Sequence, residues 1–265
     1  MRWNKTEIEP DIVRSMAKQY GCSPLAASIL LRRGIVEGSD AFFYLENDVR
    51  YTYSPFLFKD MEDAVDRILE AKEEGERVLI FGDRDVDGIT AVTVLYEALT
   101  ELGIETSWRI PTGNDPYGLT CEAVDAHAAE DGTLIITVDC GISNIEEIAY
   151  AQKKGIDVIV IDHHTPQDTL PDASVIINAK VPDSGYPHDH LSGCATAWKV
   201  ITAVRFGLHD LYKQEICLLN VRPVNDAFAV EAIRLVNLRE TARISETLIA
   251  GMVPFSDTRL KDFLQ

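Results

Sequence analysis

The stretch RVLIFGDRDVDGIT, residues 77–90, joins a short apolar run to three aspartates and then to the start of an apolar helix. The run Arg77–Phe81 is too short for a helix and is apolar throughout, which predicts a strand covered on both faces. Asp83, Asp85 and Asp87 follow at alternate positions, with Gly88 turning the chain into a helix over Thr90–Glu101. The same signal recurs at Thr106–Ile110, Thr133–Val138, Asp157–Ile161 and Ser174–Asn178, with helical segments at Cys121–Ala129 and Asn144–Lys153 between them. Strand and helix alternating at this spacing predict an α/β fold: a mostly parallel sheet with helices on both faces.

Upstream, Ser23-Pro24 reads as a cap with a first-turn proline, and Leu25–Arg33 runs to a stop at Gly34. Met61, Val65, Ile68 and Leu69 share one face of a helix that Gly75 ends. Downstream, Thr196–Phe206 reads as an apolar helix, followed by a strand at Ile216–Val221 and two more helices. The expected organisation is a helical N-terminal extension over 1–58 packed on the core, a main domain over 59–212, and a C-terminal segment over 213–265. No repeat or low-complexity linker interrupts it.

The 265 residues carry 43 acidic and 25 basic side chains, a net charge of −18. Such a chain repels polyanions unless cations or a local basic groove intervene, which argues against tight, non-specific duplex binding. No apolar run is long enough to span a bilayer, and charges stand in MRWNKTEIEP where a secretion signal needs an apolar stretch. Cys22, Cys121, Cys140, Cys194 and Cys217 are scattered, odd in number and without CxxC pairing. That predicts neither a disulfide framework nor a zinc knuckle, and fits a reducing cytoplasm.

Three acidic or imidazole clusters each follow directly on a predicted strand: Asp83, Asp85 and Asp87; Asp139 in TVDCGIS; and Asp162, His163 and His164 in VIDHH. Ligands of open α/β sheets bind at the carboxyl ends of strands, so these groups converge on one crevice. Carboxylates with imidazoles suit Mn²⁺ or Mg²⁺, and two such ions can activate a water and stabilise an in-line phosphoryl displacement. Each piece has a plainer reading. The aspartate run resembles a calcium loop, but Val94 stands where the loop's glutamate belongs. Asp139 would cap the helix from Asn144, and a His-His pair alone is more often surface or core. The three together, all at strand ends, favour a metal centre.

Asp162-His163-His164, with GDRDVDGIT, resembles the DHH phosphoesterase superfamily, and within it the RecJ-type single-strand-specific exonucleases. LLRRGIVEGSDAFFYL, SPFLFKDMEDAVDRILEA, VDCGIS and INAKVPDSGYPHDHLSG are similar to that family in the same order, from about Ala17 to about Val204. The resemblance implies a DHH catalytic domain that hydrolyses single-stranded nucleic acid, DNA above all, in repair and recombination. It also implies Asp85, Asp87, Asp139 and His163 as metal ligands, with Asp139 bridging two ions and Asp83 adjacent. His164 would touch metal or the scissile phosphate, Asp162 would orient an imidazole, and Ser192-Gly193 would cradle phosphate at a helix start.

Three departures bear on activity. Gly113 stands where the family has an arginine, removing a bidentate phosphate clamp unless another residue supplies it. Gly193-Cys194-Ala195 replaces a GxG turn. The late metal-binding aspartate is replaced by CLLNVRPVNDAF, leaving Asn220 or a shifted Asp226. The family's second, glycine-rich domain has no counterpart in these residues. Two rival readings therefore stand beside the exonuclease: a DHH phosphodiesterase of short oligonucleotides or cyclic dinucleotides, and a catalytically weakened DHH-fold scaffold.

Overall fold

The structure, a computed structural model, describes residues 7–36, 38–46, 52–224, 227–249 and 262–263. The chain forms two compact units, Met1–Tyr53 and Ser54–Gln265. In the first, α1 (Pro10–Tyr20), α2 (Pro24–Arg32) and α3 (Gly38–Leu45) enclose a small core of Met16, Ala27, Leu30 and Ala41. Ser23 caps α2, its hydroxyl accepting from the Ala26 amide, with Pro24 in the first turn where no amide is needed. Gly21 takes the left-handed conformation that ends α1.

The second unit opens with a 3-10 turn, Pro55–Leu57, and α4 (Met61–Glu74), which Gly75 ends at φ 68°. Then follow β1 (Arg77–Gly82), α5 (Val86–Glu101), β2 (Glu105–Arg109), α6 (Cys121–Ala129), β3 (Leu134–Val138), α7 (Ile145–Lys153), β4 (Asp157–Ile161), β5 (Val175–Ile177) and α8 (Gly193–Gly207). The five strands form one parallel sheet in the order β2-β1-β3-β4-β5. Alternate strand residues serve opposite faces. Ile80, Ile136 and Ile159 pack with α4, α5 and α8, while Phe81, Ile135 and Val160 pack with α6 and α7. All are essentially buried, which is why these strands read as continuous apolar runs. The expected α/β architecture is thus the observed one.

After β1 the chain leaves to one side for β2, then crosses β1 to enter β3. The sheet therefore changes direction between β1 and β3, and a crevice opens outside their carboxyl ends. At the opposite, amino edge, the Arg67 guanidinium donates to Asp157 at 2.7 Å and to Glu76 at 2.8 Å, fastening α4 to the starts of β1 and β4.

The C-terminal region departs from expectation. The predicted strand lies within β6 (Glu215–Val224), but two further strands replace the two predicted helices: β7 (Ala227–Val236) and β8 (Arg239–Ile249), in an antiparallel order β6-β7-β8. Val230 and Ala232, two residues apart on β7, are buried on one face of this sheet. Asn237 and Leu238, both at positive φ (49° and 59°), make the two-residue turn that matches strand twist. The turn was hidden because Leu238 occupies a position usually given to glycine. No helix among the described residues is long and apolar enough to cross a membrane, and the five cysteines are free.

Candidate metal centre

The crevice between β1 and β3 collects the aspartates and histidines of the three clusters singled out by the sequence. Asp85 caps α5, its Oδ1 accepting from the Gly88 amide at 3.0 Å, and that bond holds its carboxyl below the usual range. Gly88 is obligatory, because a Cβ there would lie 2.4 Å from the Asp83 carbonyl oxygen. Asp83 is buried and accepts from the Arg84 amide at 2.7 Å.

Asp139 follows β3 at φ 56°, a left-handed conformation that aspartate tolerates better than most residues. It is 1% exposed. Burial, then repulsion from Asp87 and Asp85, raises its carboxyl from 3.8 to about 7. His163 Nε2 lies 3.0 Å from Asp139 Oδ1, but outside hydrogen-bonding alignment, so this buried oxygen accepts no hydrogen bond. Gly193 abuts the same carboxylate: a Cβ there would sit 2.5 Å from Oδ1.

Asp162, also 1% exposed, is fully engaged. Its Oδ1 accepts from the His163 amide (2.6 Å) and the His164 amide (3.0 Å) and lies 2.7 Å from His164 Nδ1, while Oδ2 accepts from the Ile142 amide at 3.0 Å. This arrangement places a proton on His164 Nδ1 and leaves Nε2 as the basic nitrogen.

Two sets of ligand-capable atoms lie within 4.8 Å of one another: Asp83, Asp85 and Asp139, and Asp139, His163 and His164. Asp139 belongs to both. The donor set fits hard divalent cations: oxygens and imidazole nitrogens surround a buried carboxylate oxygen that lacks a partner. The nearby Cys140 thiol is no competitor, because burial pushes its pKa well up.

Asp87 sits differently. Its Oδ2 accepts from the Gly193 amide and its Oδ1 from the Cys194 amide, both at 2.8 Å, while His163 Nε2 lies 3.6 Å from Oδ2. The amides at the start of α8, read from sequence as a phosphate cradle with Ser192, are thus held by Asp87. The Ser192 hydroxyl caps its own helix through the Ala195 amide at 3.2 Å. Asn220 lies exposed on β6, paired with Glu231, and Asp226 lies outside the described residues.

Three supporting residues were not singled out from sequence. Buried Asn178 donates to the His164 carbonyl at 2.9 Å and accepts from the Lys180 amide, fixing the DHH turn. Tyr117 donates to the Asp139 carbonyl at 3.2 Å and sets its ring edge-on to His164. Asn144 clamps both backbone groups of Leu119. For Asn178 and Asn144 the available signal was a polar residue just after a strand or just before a helix, which any cap would also produce; Tyr117, in the loop between β2 and α6, gave none. Beside the centre a cleft of about 330 Å³ is lined by Tyr117, Gly141, Ile142, Ser143, Asp162 and His164.

The doubly wound sheet gathers, at its switch point, carboxylates and imidazoles that could hold a divalent metal. The pattern of the DHH family, N-terminal domain, matches residues 77–220, and the chain belongs to this family. It is 36% identical over 211 residues to the single-stranded-DNA-specific exonuclease RecJ of Bacillus subtilis (strain 168), covering 79% of this chain and 27% of that protein. Against RecJ of Escherichia coli (strain K12) the identity is 33% over 215 residues, covering 79% and 37%. The chain thus spans well under half the length of these curated relatives. Among solved structures it is similar to RecJ from Thermus thermophilus in complex with Mn²⁺, with a TM-score of 0.56, 29% identity, and coverage of 75% of this chain and 28% of that one. A second, an exonuclease RecJ bound to manganese, gives a TM-score of 0.53 and 33% identity over 60% and 41%.

Proposed function

We propose that this chain hydrolyses phosphodiester bonds in single-stranded DNA with the help of two Mn²⁺ or Mg²⁺ ions. Asp83, Asp85 and Asp139 would hold one ion, and Asp139, His163 and His164 the other. The buried Asp139 oxygen, common to both sets and without a hydrogen bond, carries the reading. The names of the RecJ relatives support the substrate, and the manganese in their solved counterparts supports the cofactor.

When bound, such ions acidify a water and draw charge from the phosphoryl oxygens. The chain's own residues supply the geometry. Asp162 fixes the His164 ring and keeps its proton on Nδ1. Asp85 and Gly88 hold the first turn of α5, and Asp87 brings α8 against the same centre. Asn178 and Tyr117 lock the backbone on either side.

The test is degradation of a 5′-labelled single-stranded oligonucleotide with added Mn²⁺, beside Asp139→Ala. Cleavage that disappears in the variant is expected. Cleavage of dinucleotides but not of long strands would favour the short-substrate reading, and failure on every length would overturn the phosphodiesterase assignment.

A further inference from the structure

Arginines of this acidic chain are largely occupied by carboxylates: Arg67 by Glu76 and Asp157, Arg77 by Glu105, Arg205 by Glu101, and Arg243 by Glu231 and Glu240. Arg84 is an exception at a telling place. It stands between Asp83 and Asp85, exposed, with carboxylates before and after it in the chain. Yet among the described residues its guanidinium forms no ion pair, and Nη1 donates instead to the neutral Gly113 carbonyl at 3.1 Å. A guanidinium has five donors, and this contact uses one.

The anchor is well defined. Gly113 takes φ 58°, and the turn around it closes through the Thr112 amide on Asp115 at 2.9 Å and the Asp115 amide on the Thr112 carbonyl. Arg84 thereby bridges the loops after β1 and β2 at the rim of the crevice. Arg109, the last residue of β2 and in register with Phe81, adds a second exposed arginine on that edge, also without a carboxylate partner among the described residues. The loops after β3 and β4, residues 139–144 and 162–174, contain no lysine or arginine. Those two loops bring no cation to the carboxylate-rich centre, whereas the loop after β1 carries Arg84 between two of its aspartates.

We infer that Arg84 is a substrate-contacting residue that binds a backbone phosphate flanking the scissile diester, the Gly113 carbonyl holding its guanidinium in place. The inference rests on the phosphodiesterase reading above. Charge-assisted contacts of this kind raise affinity and its salt dependence without altering the metal ligands.

Arg84→Gln and Arg84→Lys separate this role from a tether. Glutamine keeps an N–H for the Gly113 carbonyl but loses the charge, whereas lysine keeps the charge. Binding of fluorescein-labelled (dT)12 is followed by anisotropy across a salt series with Ca²⁺ in place of Mn²⁺, and KM and kcat are measured on (dT)12 with Mn²⁺. The expected result for Arg84→Gln is affinity about tenfold weaker, a slope of log K against log salt smaller by about 0.7, and a loss carried mainly by KM. Arg84→Lys recovers the slope. Calorimetric Mn²⁺ titration of Arg84→Gln matches the wild type. An Arg84→Gln variant that binds and turns over (dT)12 like the wild type overturns the inference alone, as does loss of Mn²⁺ binding in that variant. Failure of the wild type to bind or cleave (dT)12 overturns the nucleic-acid reading, and the inference with it.

Discussion

Asp139 concentrates the tension of the site in one residue: left-handed backbone, nearly complete burial, an oxygen without a hydrogen bond, and two aspartates nearby. Its carboxyl is raised from 3.8 to about 7, first by burial and then by Asp87 and Asp85. For an acid whose folded pKa lies above its unfolded one, the folded state binds the extra proton. The stability this contributes is present below about 4 and is lost as pH rises towards 7. Asp139→Asn resembles the protonated form at every pH. In EDTA its melting temperature should therefore rise relative to wild type between pH 4 and 7, while saturating Mn²⁺ should stabilise only the wild type strongly. Parallel thermal melts of the two proteins check this, and a constant difference across the range would contradict it. The sequence marked Asp139 as chemical through its place after a strand. Its raised pKa comes from burial and from Asp87 and Asp85, which lie far away along the chain, and Gly193 packs against the same carboxylate.

Among the elements, α8 has the closest bearing on the centre. Its first two amides are unsatisfied within the helix, and Asp87, more than a hundred residues earlier in the chain, supplies both oxygens. A carboxylate at a helix N-terminus is also favoured by the helix dipole. Asp87→Asn retains one acceptor and turns an N–H donor towards the other amide. It should speed hydrogen exchange at Gly193 and Cys194 at least about tenfold and cost about 1–2 kcal/mol. Amide exchange read by NMR, together with urea unfolding, tests this. Unchanged protection at both amides would show that α8 holds its place by packing alone. From sequence, Asp87 read as a metal ligand and the start of α8 as either a phosphate cradle or a plain helix cap. Nothing local in either segment announces that each satisfies the other.

Across the whole second unit, chemistry and stability occupy opposite edges of the sheet. The carboxyl edge gathers aspartates and histidines whose repulsion and desolvation cost stability. The amino edge carries the Arg67–Glu76–Asp157 network, whose arginine side chain is only 13% exposed. Removing Arg67 would leave two carboxylates together at a partly buried point. Arg67→Ala should lower the unfolding free energy by about 2–3 kcal/mol, with Mn²⁺ affinity unchanged. Urea midpoints and calorimetric titration provide the check, and a weakened metal site would show that the two edges are coupled through the strands.

The sequence alone determined the parallel sheet, because strands covered on both faces must be apolar at consecutive positions. It also determined that the acidic and imidazole clusters meet, because all follow strands of that sheet. It misread the C-terminal hairpin, since the Asn237-Leu238 turn lacks its usual glycine and short apolar runs suit either period. Only the tertiary structure decided which partners other polar atoms find: Asp87 on α8, the second oxygen of Asp162 on Ile142, Arg84 on Gly113. Periodicity records which face a residue buries. The partner of a buried charge is set by the packing of elements far apart in the chain, and that packing leaves no local pattern to read.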